Sequence, residues 1–196
     1  MQTSLGTAQR VANLVTQNVC VQVESPHGTG AASVLVSLAM VFASPFFRTA
    51  QGFVGLIERE WVQMGYPFAE YNGVCSSPSE PVEFVLFLHC VQTIVVQHPT
   101  AFEFSSDWLV RVLDELYGGG INTFLFNSEK ERRRETATRH SNSLYDIFNL
   151  RIFEFLNRDY RPKDRVNVNT HLLAIPLWCA YYLRFTNAEI ARLNYC

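Results

Sequence analysis

Residues 24–32 read Glu-Ser-Pro-His-Gly-Thr-Gly-Ala-Ala, and nowhere else do residue types and spacing come nearer to a chemical site. The β-branched run Val19–Val23 before them reads as a strand. The apolar run after them reads as a helix over roughly Ala31–Ala43. A strand that feeds a glycine-bearing loop and then a helix start presents backbone N–H groups and a positive helix end to a phosphate. The loop nevertheless contains no cysteine to attack phosphorus and no arginine to grip a phosphate. Ser25 and His27 supply a hydroxyl and an imidazole, but they lie two residues apart in a tight loop with no third group to orient the ring. They read as a loop serine and a surface histidine. Gly28-Thr29-Gly30 reads as a turn that places the helix start, with residual anion binding as the alternative.

The elements around this loop are mostly helical. Leu5–Gln17 places Ala8, Val11, Ala12 and Val15 on one face. After Ala43, Ser44 suits an N-cap and Pro45 a first helical turn. That helix carries Phe46, Phe53, Ile57 and Trp61 at helical spacing, with Phe46, Phe53 and Trp61 read as core anchors, and stops at Gly65. Tyr66–Pro81 is a loop rich in Pro, Ser and Gly. Between Pro81 and Pro99 the apolar residues cover most of the circumference, which predicts a central buried helix. Its polar interruptions are Glu83, His89 and Gln92, with His89 read as a core or cleft histidine. Ser106–Tyr117 is a helix stopped by Gly118-Gly119-Gly120. Ser128 and Glu131 have the form of a capping box ahead of the charged stretch Lys130–Arg139. Leu144–Leu156 and Leu172–Phe185 read as helices, with Pro176 awkward in the second. Arg132–Arg134 read as a solvated helix face, with a lipid headgroup or acidic partner as the rival reading. One strand among so many helices cannot satisfy its own ladder. Either a segment such as Asn122–Phe126 pairs with it, or its neighbours lie in sequence outside this chain.

Composition bounds the reading. With 196 residues, 48% of them hydrophobic, the chain is long enough for one domain with a substantial core. Sixteen basic against 18 acidic residues give no electrostatic case for nucleic acid. Five cysteines are an odd number with no short paired spacing. Cys20 and Cys90 sit in apolar runs and read as buried thiols, as in a reducing compartment. No leader segment or membrane span is expected, and no metal site or cofactor.

Taken together, several stretches resemble the myotubularin phosphatases. They are Val36–Met40, Phe47-Arg48-Thr49, Gly52-Phe53, Leu56–Trp61 and Gly65–Phe68. Pro81-Val82, the helix through Phe87, Leu88, Cys90 and Val91, and His98–Phe104 continue the likeness. Thr123–Leu125, Asn127–Glu129, Glu131-Arg132, Trp178 and Tyr181–Arg184 complete it. The resemblance covers roughly Leu5–Phe185. It implies an α/β fold class, part of a cysteine-dependent, protein tyrosine phosphatase-like fold that is mostly helical in this segment with one clear sheet strand. It also implies that residues 1–196 match the C-terminal half of the phosphatase domain, without the family's N-terminal domain and first half.

Active members carry the loop His-Cys-Ser-Asp-Gly-Trp-Asp-Arg-Thr. An ungapped count back from Ser37–Met40 sets Glu24 at the histidine, Ser25 at the cysteine, Pro26 at the serine and His27 at the first aspartate. Gly28 meets the glycine and Thr29 the tryptophan. Gly30 then falls at the second aspartate, Ala31 at the arginine and Ala32 at the threonine. A serine hydroxyl does not ionise near neutral pH as the loop thiolate must. An alanine cannot clamp phosphate oxygens. Glu24 adds charge that opposes an anion, and Pro26 removes one loop amide. His89 falls where active members usually carry an acidic residue. The resemblance therefore implies a pseudophosphatase with no catalytic residue, regulating or scaffolding an active myotubularin-family phosphatase. It would sit in the cytoplasm, peripheral on endomembranes, with at most a weak phosphoinositide contact. An active phosphatidylinositol 3-phosphate phosphatase, a lipid-binding module and a truncated non-functional copy are the rival readings.

Overall fold

The computed structural model describes residues 1–25, 29–71, 82–136 and 142–184. Its helices are α1 (Gln2–Thr16), α2 (Thr29–Ala43), α3 (Ala50–Ile57), α4 (Phe68–Tyr71) and α5 (Val82–Gln97). They continue with α6 (Ser106–Gly118), α7 (Glu129–Thr136), α8 (Leu144–Phe155) and α9 (Cys179–Tyr182). Short 3₁₀ turns occupy Pro45–Arg48, Asn122–Phe124 and Leu172–Ala174, and a π turn occupies Glu58–Val62. No described helix is long and apolar enough to cross a membrane.

The expected α/β class with one clear strand is wrong for the described residues, which form no strand or sheet. Val19–Val23 is irregular. The Val19 N–H folds back to the Leu14 carbonyl at 3.0 Å, and Cys20 is exposed rather than buried. β-branched residues hold a strand only where a neighbour takes up their N–H and C=O groups. No backbone hydrogen bond joins residues 20–25 to another described segment. Asn122–Phe124, the suggested pairing partner, is a 3₁₀ turn instead. The β-type pairing among the described residues is an antiparallel bridge between Phe104 and Leu156. Cys90 is a buried thiol, and Cys179 is disulfide-bonded, which the cysteine spacing did not anticipate.

Helix α5 is the centre of the core, as its wide apolar circumference predicts. Phe84, Phe87, Leu88, Cys90, Val91 and Ile94 are fully buried. Phe87 lies 5.8 Å, centroid to centroid, from Phe53 on α3. Trp61 lies 4.9 Å from Phe84 and donates its indole N–H to Ser37 on α2 at 3.0 Å. The single helix expected from Ser44 to Gly65 is broken at Thr49. Ser44 caps the 3₁₀ turn by accepting from the Phe46 N–H, and Thr49 caps α3 by accepting from the Gly52 N–H. This break swings Phe46 outward to 56% exposure, so it is not a core anchor, whereas Phe53 and Trp61 are. Val15 is likewise exposed, although Ala8 and Ala12 on the same helix are buried.

Other boundaries follow local chemistry. Gly65 (φ 77°) and Gly119 (φ 61°) adopt the left-handed backbone that ends the preceding elements. Ser128 accepts from the Glu131 N–H, but the Glu131 carboxylate accepts from the Asn127 N–H rather than closing the expected box. A complete capping box forms instead at Ser143 and Asp146. The helix expected over Leu172–Phe185 separates into a 3₁₀ turn and α9, with Pro176 between them.

Two close approaches fix the joint between α2 and α3. Arg48 is fully buried. Its guanidinium donates to the Val41 carbonyl at 2.6 Å and to the Phe42 carbonyl at 3.4 Å, and also to the Lys163 carbonyl. It thereby takes up carbonyls left over at the end of α2 and fastens residues 163–164 to them. At Gly52 a methyl group would lie 1.9 Å from the Phe46 carbonyl oxygen, so α3 passes closer to the 3₁₀ turn than any side chain allows.

Arg48→Met removes the donors and strands buried carbonyls, and is expected to cost about 3 kcal/mol or more of stability. Gly52→Ala is expected to cost about 2–3 kcal/mol through overpacking. Urea unfolding midpoints of the two variants against the wild-type chain measure both. An unchanged midpoint for either would show that the joint does not carry stability.

Candidate functional site

The residues singled out in the loop occupy the end of an irregular segment and the first turn of α2. Glu24 is exposed and accepts a hydrogen bond from the Gln22 amide at 2.8 Å. Ser25 is half-buried. Pro26, His27 and Gly28 lie outside the described residues. Thr29 opens α2, Ala31 is exposed and Ala32 is half-buried. The segment before the helix is therefore not the strand that the phosphate-loop frame requires, and α2 starts at Thr29 rather than near Ala31.

At this helix start lies a residue that sequence reasoning had treated only as an interruption. A methyl group on Gly30 would lie 2.9 Å from Cγ and 3.0 Å from the carboxyl carbon of Glu83. The Glu83 side chain is thus seated against the Gly30 backbone in the first turn of α2. Glu83 also stands in the first turn of its own helix, α5. The buried Tyr66 hydroxyl donates to Glu83 Oε2 at 2.9 Å. Burial, reinforced by the Glu83 charge, raises the Tyr66 hydroxyl far above the ordinary phenol range, so Tyr66 is a fixed donor. Burial and Glu83 push Tyr71 in the same direction. The available signal was a carboxylate near the start of an otherwise apolar helix just after Pro81.

The other candidate residues take structural roles. Arg48, the first arginine after Arg10, belongs to the joint at the far end of α2. Burial pulls its pKa down, with Tyr160 and Asp164 opposing. Arg132 is buried rather than on the solvated face expected of it. It donates to the carbonyls of Thr123, Val62 and Phe126. Arg133 pairs with Glu129 at 2.8 Å and Arg134 with Glu135 at 3.3 Å, both on the surface. The three arginines therefore do not form one basic patch. A cleft of about 490 Å³ beside Arg132 carries Glu58, Glu129 and Arg133, a mixture of both signs.

His89 is a cleft histidine, as read. It is half-buried beneath residues 176–182, with Nε2 3.2 Å from the Pro176 carbonyl and Nδ1 3.4 Å from the Tyr182 hydroxyl. Burial lowers its pKa. Its cleft, about 280 Å³, is otherwise apolar and tyrosine-lined. Burial pushes the Cys90 thiol up to about 12, which keeps it protonated and unreactive. Among the described residues no grouping of His, Cys, Asp and Glu could hold a metal ion.

Comparison with known proteins agrees with the motifs. The sequence profile of the myotubularin-like phosphatase domain matches residues 1–133. The phosphatidylinositol-3,5-bisphosphate 3-phosphatase mtm-1 of Caenorhabditis elegans is 35% identical over 188 residues, covering 91% of this chain and 32% of that protein. Myotubularin of Rattus norvegicus is 33% identical over 186 residues, covering 91% of this chain and 31% of the relative. The phosphatidylinositol-3,5-bisphosphate 3-phosphatase MTMR2 of Bos taurus is 33% identical over 194 residues, with 92% and 29% covered. The chain thus spans about a third of the length of these relatives. A profile match over most of the chain, together with these identities, shows that it belongs to the myotubularin-like phosphatase domain family.

Proposed function

We propose that this chain is a catalytically inactive myotubularin-like domain that works by binding, regulating or scaffolding an active phosphoinositide 3-phosphatase at the cytoplasmic face of endomembranes. The observation that carries the reading is that α2 carries no arginine at its start and that the first one after the loop lies beyond its far end. No arginine lies between Arg10 and Arg48, and Arg48 is buried at the C-terminal end of α2. A helix of 15 residues spans about 22 Å, so that group is far from the helix start where a phosphate would sit. Cysteine-based phosphoryl transfer needs a thiolate and a bidentate cationic clamp on the equatorial oxygens. Ser25 and Ala31 stand at those positions in the family frame and supply neither. Glu24 adds negative charge beside them.

The test is reconstitution. The purified chain is mixed with an active 3-phosphatase of the family, and the mixture is followed by size-exclusion chromatography and by phosphate release from phosphatidylinositol 3-phosphate vesicles. Co-elution with a change in the partner's rate or thermal stability is expected. Separate elution from active relatives, with their rates and melting temperatures unaltered, would contradict the regulatory role.

A further inference from the structure

Two features meet at the C-terminal end of α5, and neither serves the core. The first is the 3₁₀ turn at Leu172–Ala174, where Leu172 is 70% exposed and Leu173 90%. The turn is held so that these side chains cannot fold inward. The Gln97 side chain donates to the Asn169 carbonyl at 3.1 Å and to the Ala174 carbonyl at 2.9 Å, and accepts from the Asn169 N–H at 2.8 Å. The His171 ring accepts from the Leu173 N–H at 3.3 Å and caps the turn. Val96, the residue before Gln97, is also exposed.

The second feature is a set of cations brought to the same corner. The Asn157 side chain donates to the Pro99 carbonyl at 2.6 Å, and the Arg161 N–H donates to the Thr100 carbonyl at 2.7 Å. Arg158 and Arg161 therefore lie against the residues that follow Gln97. Both are exposed, as are Lys163 and Arg165. None of the four enters an ion pair among the described residues. Their acidic neighbours are Asp159 and Asp164, and from Arg165 to Arg184 the sequence holds no aspartate or glutamate. Buried apolar area and attraction of Lys and Arg to anionic headgroups are the two terms that hold a protein on a membrane surface. The leucine pair projects from a turn rather than lining a groove, which suits a bilayer, since a bilayer requires no matching shape.

We infer that Leu172 and Leu173 form an insertion point for an anionic lipid surface, with Arg158 and Arg161 at its rim. The inference deepens the proposed function: it rests on the endomembrane placement and names the surface that makes the contact. The leucines enter the interface while the guanidinium groups stay among the headgroups. Such contact uses charge and apolar area alone, so it needs no phosphate pocket in residues 24–32.

The probe is vesicles of phosphatidylcholine, with or without phosphatidylserine, sedimented with the full chain. The wild-type chain is expected to sediment with the phosphatidylserine vesicles, and less so as salt is raised. Leu172→Ser with Leu173→Ser is expected to weaken that binding about tenfold or more. Arg158→Gln with Arg161→Gln is expected to weaken it several-fold. Melting temperatures should be unchanged, because all four residues are exposed. Leu173→Trp gives a signal that does not depend on a loss: its fluorescence should shift to the blue when phosphatidylserine vesicles are added. Absence of wild-type binding, equal binding by the double-leucine variant, or an unshifted tryptophan emission would overturn the inference. So would a double-leucine variant that still binds vesicles but no longer co-elutes with an active relative, which would make the turn a protein contact. Vesicle binding without co-elution would refute the regulatory role and support the insertion point. Co-elution without vesicle binding would do the reverse.

Discussion

Arg48 holds the C-terminal end of α2 by donating from a fully buried guanidinium to the carbonyls of Val41 and Phe42, and much of the molecule depends on that end being fixed. The same guanidinium reaches the Lys163 carbonyl, so the segment after α8 is tied to the joint between α2 and α3. A few residues on, the Glu103 carboxylate accepts from the Ala50 N–H at 2.8 Å at the start of α3. The Glu103 N–H in turn donates to the Arg48 carbonyl at 3.0 Å. A cation at a helix C-terminus and carboxylates at helix starts are the arrangement that the macrodipole favours. Here each charge comes from outside the helix it serves, so each also specifies a tertiary contact.

With its far end fixed by Arg48 and its inner face packed on α5, α2 presents its first turn at one place, beside the first turn of α5. The helix is a packing element along its length: Ser37 holds Trp61, Leu38 and Phe42 are core residues, and Gly30 receives Glu83. On the proposed reading, a loop without thiol and guanidinium lacks reactivity but keeps these contacts. Stability and catalysis are thus separable in this stretch, and a domain that acts by binding needs only the first.

Much of this was legible in the sequence. The wide apolar circumference of residues 84–95 predicted the central helix. The family itself was visible in dispersed motifs. The strand at Val19–Val23 was misread because β-propensity describes a residue's fit to a sheet and cannot supply the sheet. Phe46 was misplaced because helical spacing continues on paper through the cap at Thr49. Arg132 was misread because its run of charged neighbours suggests solvent, whereas three carbonyl acceptors at a chain crossing draw it inward. Glu83 was noticed only as a flaw in an apolar stretch, since its meaning depends on Gly30, more than fifty residues away.

The central claim, that this loop performs no phosphoryl transfer, is tested most directly by phosphate release from vesicles containing phosphatidylinositol 3-phosphate or its 3,5-bisphosphate. The purified wild-type chain is compared with Ser25→Ala. The account predicts that both release phosphate at the rate of protein-free vesicles. Release by the wild-type chain that Ser25→Ala abolishes would contradict it.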